Sequence, residues 1–416
     1  MNAEIIAVGT ELLMGQIANT NGQFLSQELA NLGINVYFQT VVGDNAGRMR
    51  QALELARSRA DLIVCTGGLG PTQDDLTKDV LADFLGRGMM YHEPSLRKMA
   101  DFFAARGVVM VESNKRQAIM LDGSDPLANE TGLAVGIALT QDGTHYMLLP
   151  GPPKEMKPMF LNYGVPWLRG VMTGEVPLVS KMLKFAGIGE SALEHRLIDL
   201  IEAQTDPTIA PYAKEGEVAI RLTTRAASRE DGLARIAPVE TDIRGRLGEY
   251  IYADQDVTLE AKVLELLKTS GRTLAVAESC SGGLLSDMLT AVPGSSQAFL
   301  GGIVCYSNML KHRLAGVPME ALEGPGAPGA VSEQTALLLA EGVLARTDAD
   351  FAVSITGVAG PDPSEGKPVG LVYVGIAFRG EQPRAFELRT HGNRETIKLR
   401  AAKHALYRLW ERLKPV

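Results

Sequence analysis

Cysteine is scarce in this chain of 416 residues, with only Cys65, Cys280 and Cys305 present. No two of them form a C-x-x-C pair, so neither a thiolate zinc site nor a disulfide framework is expected to organise the fold. Positive charge is also short: 41 Lys and Arg against 49 Asp and Glu leave a net charge of −8. No chain-wide field therefore draws in nucleic acid or an anionic membrane, and neither is an expected partner. No apolar run approaches the roughly 18 residues of a membrane span. The six histidines do not cluster, and none is assigned to catalysis or metal. Internal repeats and low-complexity tracts are missing as well. A strand pattern that begins near Glu4 leaves no room ahead of it for a signal peptide, and the expectation is a cytoplasmic protein.

What is there is ordinary globular material, 45% hydrophobic and 22% charged, long enough for two to four domains. Short apolar runs alternate with amphipathic stretches. Glu4–Val8, Asn35–Val42 and Asp61–Thr66 read as strands, with helices over Gly22–Leu32 and Arg48–Arg57. This rhythm predicts an α/β fold on a mostly parallel sheet for residues 1–170. The texture changes after Arg169. Residues 171–252 read as strand, helix, strand, helix, strand, a small α+β insert. A second α/β domain is expected over 253–416, closing with a helix from Arg394 to about Leu413.

In the last domain a strand over Thr273–Ala277 runs into Glu278-Ser279-Cys280-Ser281-Gly282-Gly283, and a helix follows. Such a turn carries its hydroxyl to the edge of the sheet, beside N–H groups at the helix start that can hold an oxyanion or phosphate. Gly282 and Gly283 let a ligand approach the backbone. A second strand, Phe299–Tyr306, leads to Ser307-Asn308-Met309-Leu310-Lys311. A lysine in a partly dry pocket can give up its proton and serve as the base that serine needs. A third strand, Phe351–Ile355, enters Thr356-Gly357-Val358-Ala359-Gly360-Pro361. Three strand ends bearing hydroxyls, a lysine and glycines predict one pocket. Cys280 is the rival nucleophile, intrinsically stronger than serine but in need of a cationic neighbour, and His312 is expected to point elsewhere. Ser279 is the favoured nucleophile.

In the first domain the richest stretch is Cys65-Thr66-Gly67-Gly68-Leu69-Gly70-Pro71-Thr72-Gln73-Asp74-Asp75-Leu76-Thr77-Lys78. A buried strand entering a glycine loop before a helix makes a nest for anions. Asp74 and Asp75 suit either a divalent cation bridging phosphate oxygens or a simple complement to the helix dipole; the adjoining loop favours the cation.

These motifs carry a resemblance. Ala277–Gly283, Tyr306-Ser307-Asn308 with Lys311, Ile355–Pro361 and Lys367-Pro368-Val369-Gly370 resemble the PncC-type nicotinamide-nucleotide amidohydrolases. The resemblance implies hydrolysis of nicotinamide mononucleotide to nicotinic acid mononucleotide and ammonia, without a metal. Ser279 would be the nucleophile and Lys311 its base, with Tyr306 and Thr356 serving catalysis. Ser281, Gly282, Gly283, Asn308, Gly357 and Arg394 would bind substrate, with Arg394 on the phosphate. The glycine loop resembles the molybdopterin-binding fold of MogA and MoaB. With Gly9–Gly15, Thr20-Asn21, Val42-Gly43-Asp44, Asn114, Gln117-Ala118, Asn129, Gly132 and Leu149–Met156, the whole chain is similar to the competence/damage-inducible CinA family. That resemblance implies a metal-dependent ADP-ribose pyrophosphatase in the first domain, yielding AMP and ribose 5-phosphate. Its ligands would be Asp44, Asp75 and Glu155, with Gly67, Gly68, Gly70, Lys78 and Lys154 on the substrate, and the chain would be a homodimer. A pterin- or nucleotide-binding first domain without chemistry, or an adaptor in DNA uptake, are the competing readings. The middle segment resembles a KH domain, yet it carries ten Lys and Arg against thirteen Asp and Glu, the wrong sign for an RNA footprint. Its one G-x-x-G, Gly245–Gly248, is expected between a helix and a strand, whereas the RNA clamp joins two helices.

Overall fold

Runs such as Leu62–Thr66 are buried at every position, as strands covered by helices on both faces must be. In the computed structural model, which describes all residues except Thr173, Glu175, Glu215, Pro415 and Val416, such runs build the centres of two α/β sheets. The chain forms two units by contact: Met1–Val179 with Arg225–Gly232, and Ser180–Thr224 with Leu233–Val416. No helix among the described residues is long and apolar enough to cross a membrane.

In chain order the first unit contains β1 (Asn2–Val8), α1 (Thr10–Leu13), α2 (Thr20–Asn31), β2 (Asn35–Val42), α3 (Ala46–Arg57), β3 (Leu62–Thr66), α4 (Thr77–Leu85), β4 (Met89–Tyr91) and α5 (Glu93–Ala104). It continues through β5 (Ile119–Leu121), β6 (Asp125–Leu127), β7 (Gly136–Gln141), β8 (Thr144–Leu149), α6 (Pro153–Met159) and α7 (Val165–Val171). The main sheet has the order β2-β1-β3-β8-β7-β6. Its first half is parallel, as the alternating pattern predicts, whereas β7 and β6 join antiparallel. Successive residues of a strand serve opposite faces. Ile63 and Cys65 pack with Leu53 of α3 and Leu81 of α4, while Val64 packs with Leu25 of α2 and Met156 of α6.

The small α+β segment runs β9 (Leu178–Phe185), α8 (Glu190–Ala203), β10 (Thr208–Lys214), β11 (Glu217–Arg225), α9 (Arg229–Leu247) and β12 (Ile251–Ala253), with sheet order β10-β11-β9-β12. The sequence pattern predicts one strand between α8 and α9; the structure has two. Pro211 interrupts the pattern of β10, and it is tolerated because β10 lies at the edge, where a missing donor costs little.

The last segment runs α10 (Leu259–Thr269), β13 (Leu274–Glu278), α11 (Leu284–Thr290), β14 (Phe299–Val304), α12 (Asn308–Ala315), α13 (Met319–Leu322), α14 (Glu333–Ala345), β15 (Phe351–Gly357), β16 (Leu371–Phe378), β17 (Arg384–Arg389) and α15 (Arg394–Leu413). Its sheet order is β14-β13-β15-β16-β17, parallel across the first three strands and antiparallel beyond. β13 again alternates. Leu274 and Val276 pack with Leu264, Leu285 and Leu406, while Ala275 and Ala277 pack with Ala315 and Leu339. The central position of β13 matters most, because the turn leaving it carries Ser279.

Gly67 shows how closely backbone sets the first glycine loop. Its φ is +107°, and a Cβ there would lie 2.1 Å from the Val8 carbonyl oxygen. Gly67→Ala is expected to destabilise the first unit by at least about 1–3 kcal/mol. A calorimetric scan of the full chain checks this, as a lowered transition for that unit.

Candidate functional site

The second unit gathers its chemistry at the carboxyl ends of three neighbouring strands. Ser279 follows β13, and its N–H donates to the Ile355 carbonyl of β15 at 2.9 Å. Lys311 lies in the first turn of α12, after β14, rather than on the strand edge. Ser307 caps this helix by accepting from the Leu310 N–H, which fixes where Lys311 emerges. Lys311 is only 2% exposed, and its Nζ donates to Ser279 Oγ at 3.0 Å and to the Cys305 carbonyl at 3.1 Å. Burial lowers its pKa below the ordinary lysine value of 10.5. The pair expected from sequence is therefore in hydrogen-bond contact.

Cys280 is buried in the apolar core, and burial pushes its thiol up to about 12. Such a thiol holds little thiolate near neutrality. His312 bonds the Val317 carbonyl at 2.9 Å through Nδ1, so it turns away as expected.

Arg394, at the start of α15, donates to the Gly360 carbonyl at 2.5 Å and to the Tyr306 hydroxyl at 2.6 Å. Tyr306 follows β14 and Gly360 follows β15, and β13 lies between them. The guanidinium thus links the segments that flank β13, the strand leading to Ser279, and it is exposed. Thr356 is buried, with its hydroxyl donating to the Ala330 carbonyl at 2.6 Å. That places it under a loop, with its proton committed. Asn308 donates to Glu323 at 2.9 Å. At Gly357 a Cβ would lie 2.7 Å from the Leu371 carbonyl oxygen, so this glycine serves packing against β16.

One expectation is corrected here. The helix-start N–H groups beside Ser279 are not free. Gly283, Leu285 and Ser286 all donate to the carboxylate of Glu278. Gly282 donates to the Ser279 carbonyl. Among the described residues the N–H groups of Cys280 and Ser281 have no such partner, and the fully buried Ser281 Oγ has none either. Sequence reasoning passed over Glu278, although a carboxylate closing an apolar strand was a visible signal.

The first unit holds a cleft of about 850 Å³ lined by Gly67, Gly68, Gly70, Asp44, Asp75 and Glu155 among others. Six carboxylates face it, from Glu11, Asp44, Asp74, Asp75, Glu130 and Glu155, against the single lysine Lys98. Lys98, which sequence reasoning missed, donates to the carbonyls of Asn129 and Gly132. Asn21 donates to Thr66 Oγ1 and the Gly151 carbonyl, leaving its own oxygen without a partner.

Neither expected lysine lines this cleft. Lys154 is exposed elsewhere, and its carbonyl accepts from Thr131. Lys78 sits 4% exposed behind the glycine loop, where Nζ donates to the Gln117 carbonyl at 3.0 Å and burial lowers its pKa to about 7. The expected metal ligands also part company. Asp44 Oδ2 accepts from Thr10 N and Oγ1, Asp75 Oδ2 from Thr72 N and Oγ1, and Glu155 from Asn129. Among the described residues no three His, Cys, Asp or Glu side chains gather to hold an ion. The three carboxylates line the same cleft but do not fit a protein-built metal cage.

Three family descriptions match the chain: a probable molybdopterin binding domain over residues 4–170, the damage-inducible protein CinA KH domain over 180–253, and the CinA C-terminal domain over 256–413. A relative in Geobacillus kaustophilus, named as a competence-damage inducible protein, is 54% identical over 413 residues, covering 99% of each chain. A second, from Geobacillus sp. strain WCH70, is 52% identical and covers 97% of this chain and 96% of its own. Among solved structures, a competence damage-inducible protein from Klebsiella pneumoniae is 34% identical, covers 37% of this chain and 94% of its own, and has a TM-score of 0.36.

The buried Lys78 generates a stability prediction. Its folded pKa of about 7 lies below the unfolded 10.5, so its burial cost is full below pH 7 and fades as pH rises towards 10.5. Lys78→Met should therefore stabilise the first unit most at or below neutrality, and the gain over the parent should shrink between those limits. Denaturant melts at several pH values measure it; a gain independent of pH would refute the linkage.

Proposed function

Because the chain belongs to the competence/damage-inducible CinA family, we propose that residues 253–416 are an amide hydrolase converting nicotinamide mononucleotide to nicotinic acid mononucleotide and ammonia. The observation that carries this reading is the 3.0 Å contact between Lys311 Nζ and Ser279 Oγ, made by a lysine cut off from water. An amide is a poor electrophile, so its hydrolysis needs an activated nucleophile, a place for the oxyanion and a proton for the departing nitrogen. Neutral Lys311 takes the proton of Ser279 as Oγ attacks the carboxamide carbon. The oxyanion is received by the N–H groups of Cys280 and Ser281. The Lys311 ammonium then returns the proton to nitrogen as the C–N bond breaks and ammonia leaves. Water, deprotonated by the same lysine, attacks the acyl-serine and frees the acid. Arg394 exchanges its Gly360 and Tyr306 partners for the substrate phosphate, which its planar fork suits.

Ser279→Ala and Lys311→Ala are each expected to lower deamidation by about 10³-fold or more, with little further loss in the double variant. Lys311→Arg should not rescue, since a guanidinium keeps its proton. Cys280→Ala should keep most activity. Turnover by an active Ser279→Ala protein beside a dead Cys280→Ala would make the thiol the nucleophile. The pH profile has a required sign. Activity should rise with pH as Lys311 deprotonates, with its midpoint below the ordinary lysine value of 10.5.

A second activity is supported by the cleft of the first unit. We propose that it binds ADP-ribose and hydrolyses the pyrophosphate to AMP and ribose 5-phosphate. Six carboxylates facing one lysine would repel a bare diphosphate, so a divalent cation would have to arrive chelated to it. Incubating the full chain with ADP-ribose should yield both products with magnesium or manganese and neither with excess chelator. Asp75→Asn should reduce this cleavage at least about tenfold while leaving deamidation unchanged. Retention of ADP-ribose without products would favour a binding module.

A further inference from the structure

Glu278 is the last residue of β13 and is fully buried. Among the described residues no cation pairs with it. Its charge is instead met by four donors: Gly283 N at 3.0 Å, Leu285 N at 3.0 Å, Ser286 N at 2.8 Å and Ser286 Oγ at 2.6 Å. A buried carboxylate without a counter-ion is costly, and one solvated this fully by its own chain holds that chain rigidly. We propose that Glu278 is a positioning residue for the hydrolytic reaction, shaping the turn that presents Ser279 and its oxyanion donors. The proposal rests on the reading of Ser279 as nucleophile.

Three observations carry it. The carboxylate and the backbone of the same residue clasp both ends of the turn from Ser279 to Gly283. The turn can close only through left-handed backbone at Gly282 (φ +63°) and Gly283 (φ +96°), and the bonds to Glu278 hold it there. The clasp also sorts the N–H groups. Those of Gly283, Leu285 and Ser286 are consumed, and those of Cys280 and Ser281, next to the nucleophile, stay available. The third observation concerns the base. The Glu278 carbonyl accepts from Cys305 N at 2.8 Å, and the Cys305 carbonyl in turn accepts from Lys311 Nζ. One residue thus braces both arms of the Ser279–Lys311 pair without facing the substrate.

The test uses the full chain with Glu278→Gln, Glu278→Asp and Ser286→Ala. Glutamine keeps the volume but turns one acceptor oxygen into a donor that faces N–H groups. For Glu278→Gln, kcat for deamidation should fall by about 10²-fold, the scale of a misplaced reacting group, while KM shifts less than about twofold. Ser286→Ala removes one donor and should lower kcat by roughly three- to tenfold by the same logic. Glu278→Asp should recover part of what glutamine loses. A merely structural role would lower the melting temperature and leave kcat of the folded protein untouched at temperatures well below it. If Glu278→Gln does not fold, Ser286→Ala decides alone. A folded variant set with kcat within about twofold of the parent overturns the proposal. The rate at which a fluorophosphonate labels Ser279 is read in parallel and should fall in the same order. It keeps the test decisive if nicotinamide mononucleotide is not the substrate. Deamidation surviving in Ser279→Ala would sink the nucleophile reading instead, a separate outcome.

Discussion

The site of the second unit depends on holding an amine out of water. An exposed lysine beside a serine would stay protonated and could donate only a hydrogen bond. Lys311 reaches Ser279 from the first turn of α12 with its whole stem buried, and burial lowers its pKa, the direction that the proposed role as base requires. Much else serves this one contact. Ser307 caps the helix that carries the lysine, Cys305 supplies a second acceptor for Nζ, and the central place of β13 sets the serine between two flanking strand ends. The buried thiols beside it are shifted up for the same reason that the lysine is shifted down: low polarity disfavours charge of either sign.

Sheet order converts sequence distance into proximity. Tyr306, Gly360 and Arg394 are scattered over nearly ninety residues, yet the order β14-β13-β15 brings the first two to either side of the strand that leads to Ser279, and Arg394 ties them together. Parallel strands end at the same edge, so every loop leaving that edge can contribute a group. The antiparallel strands β16 and β17 extend the sheet and complete its core without adding a reacting group. The first unit repeats the device with β1, β3 and β8, whose ends carry the motifs around Gly9, Gly67 and Gly151 into one cleft. The charge around the two sites differs. The second is built on a lysine amine deprived of water, while six carboxylates and a single lysine line the first.

Hydrogen bonding and the hydrophobic pattern explain what could be read from the chain alone. The strands of both parallel halves and the bounding helices were legible because two-residue and 3.6-residue periodicities are written locally, whereas the pairing of Ser279 with Lys311 was expected from strand-end motifs and the resemblance they carry. The glycine turns are equally local, since only glycine accepts their backbone conformation. β10 was not legible, because Pro211 erases a strand signal that edge position alone permits. Lys78 and Lys154 matched a phosphate-site pattern by type and spacing, yet type and spacing do not say which side of a loop a side chain takes.

By itself, then, the sequence determined that two α/β domains flank a smaller α+β segment, that a serine and a lysine follow two strands of the last domain, and that a glycine loop follows a strand of the first. Only the tertiary structure decided that Glu278 consumes the helix-start N–H groups, that Lys98 rather than Lys78 lines the cleft, and that Asp44, Asp75 and Glu155 line it without gathering into a metal site. The physical reason is common to all three. Local pattern fixes which residues are helical, extended or turning, but hydrogen-bond partners and burial are settled by elements distant in sequence, and those partners determine which groups remain free to do chemistry.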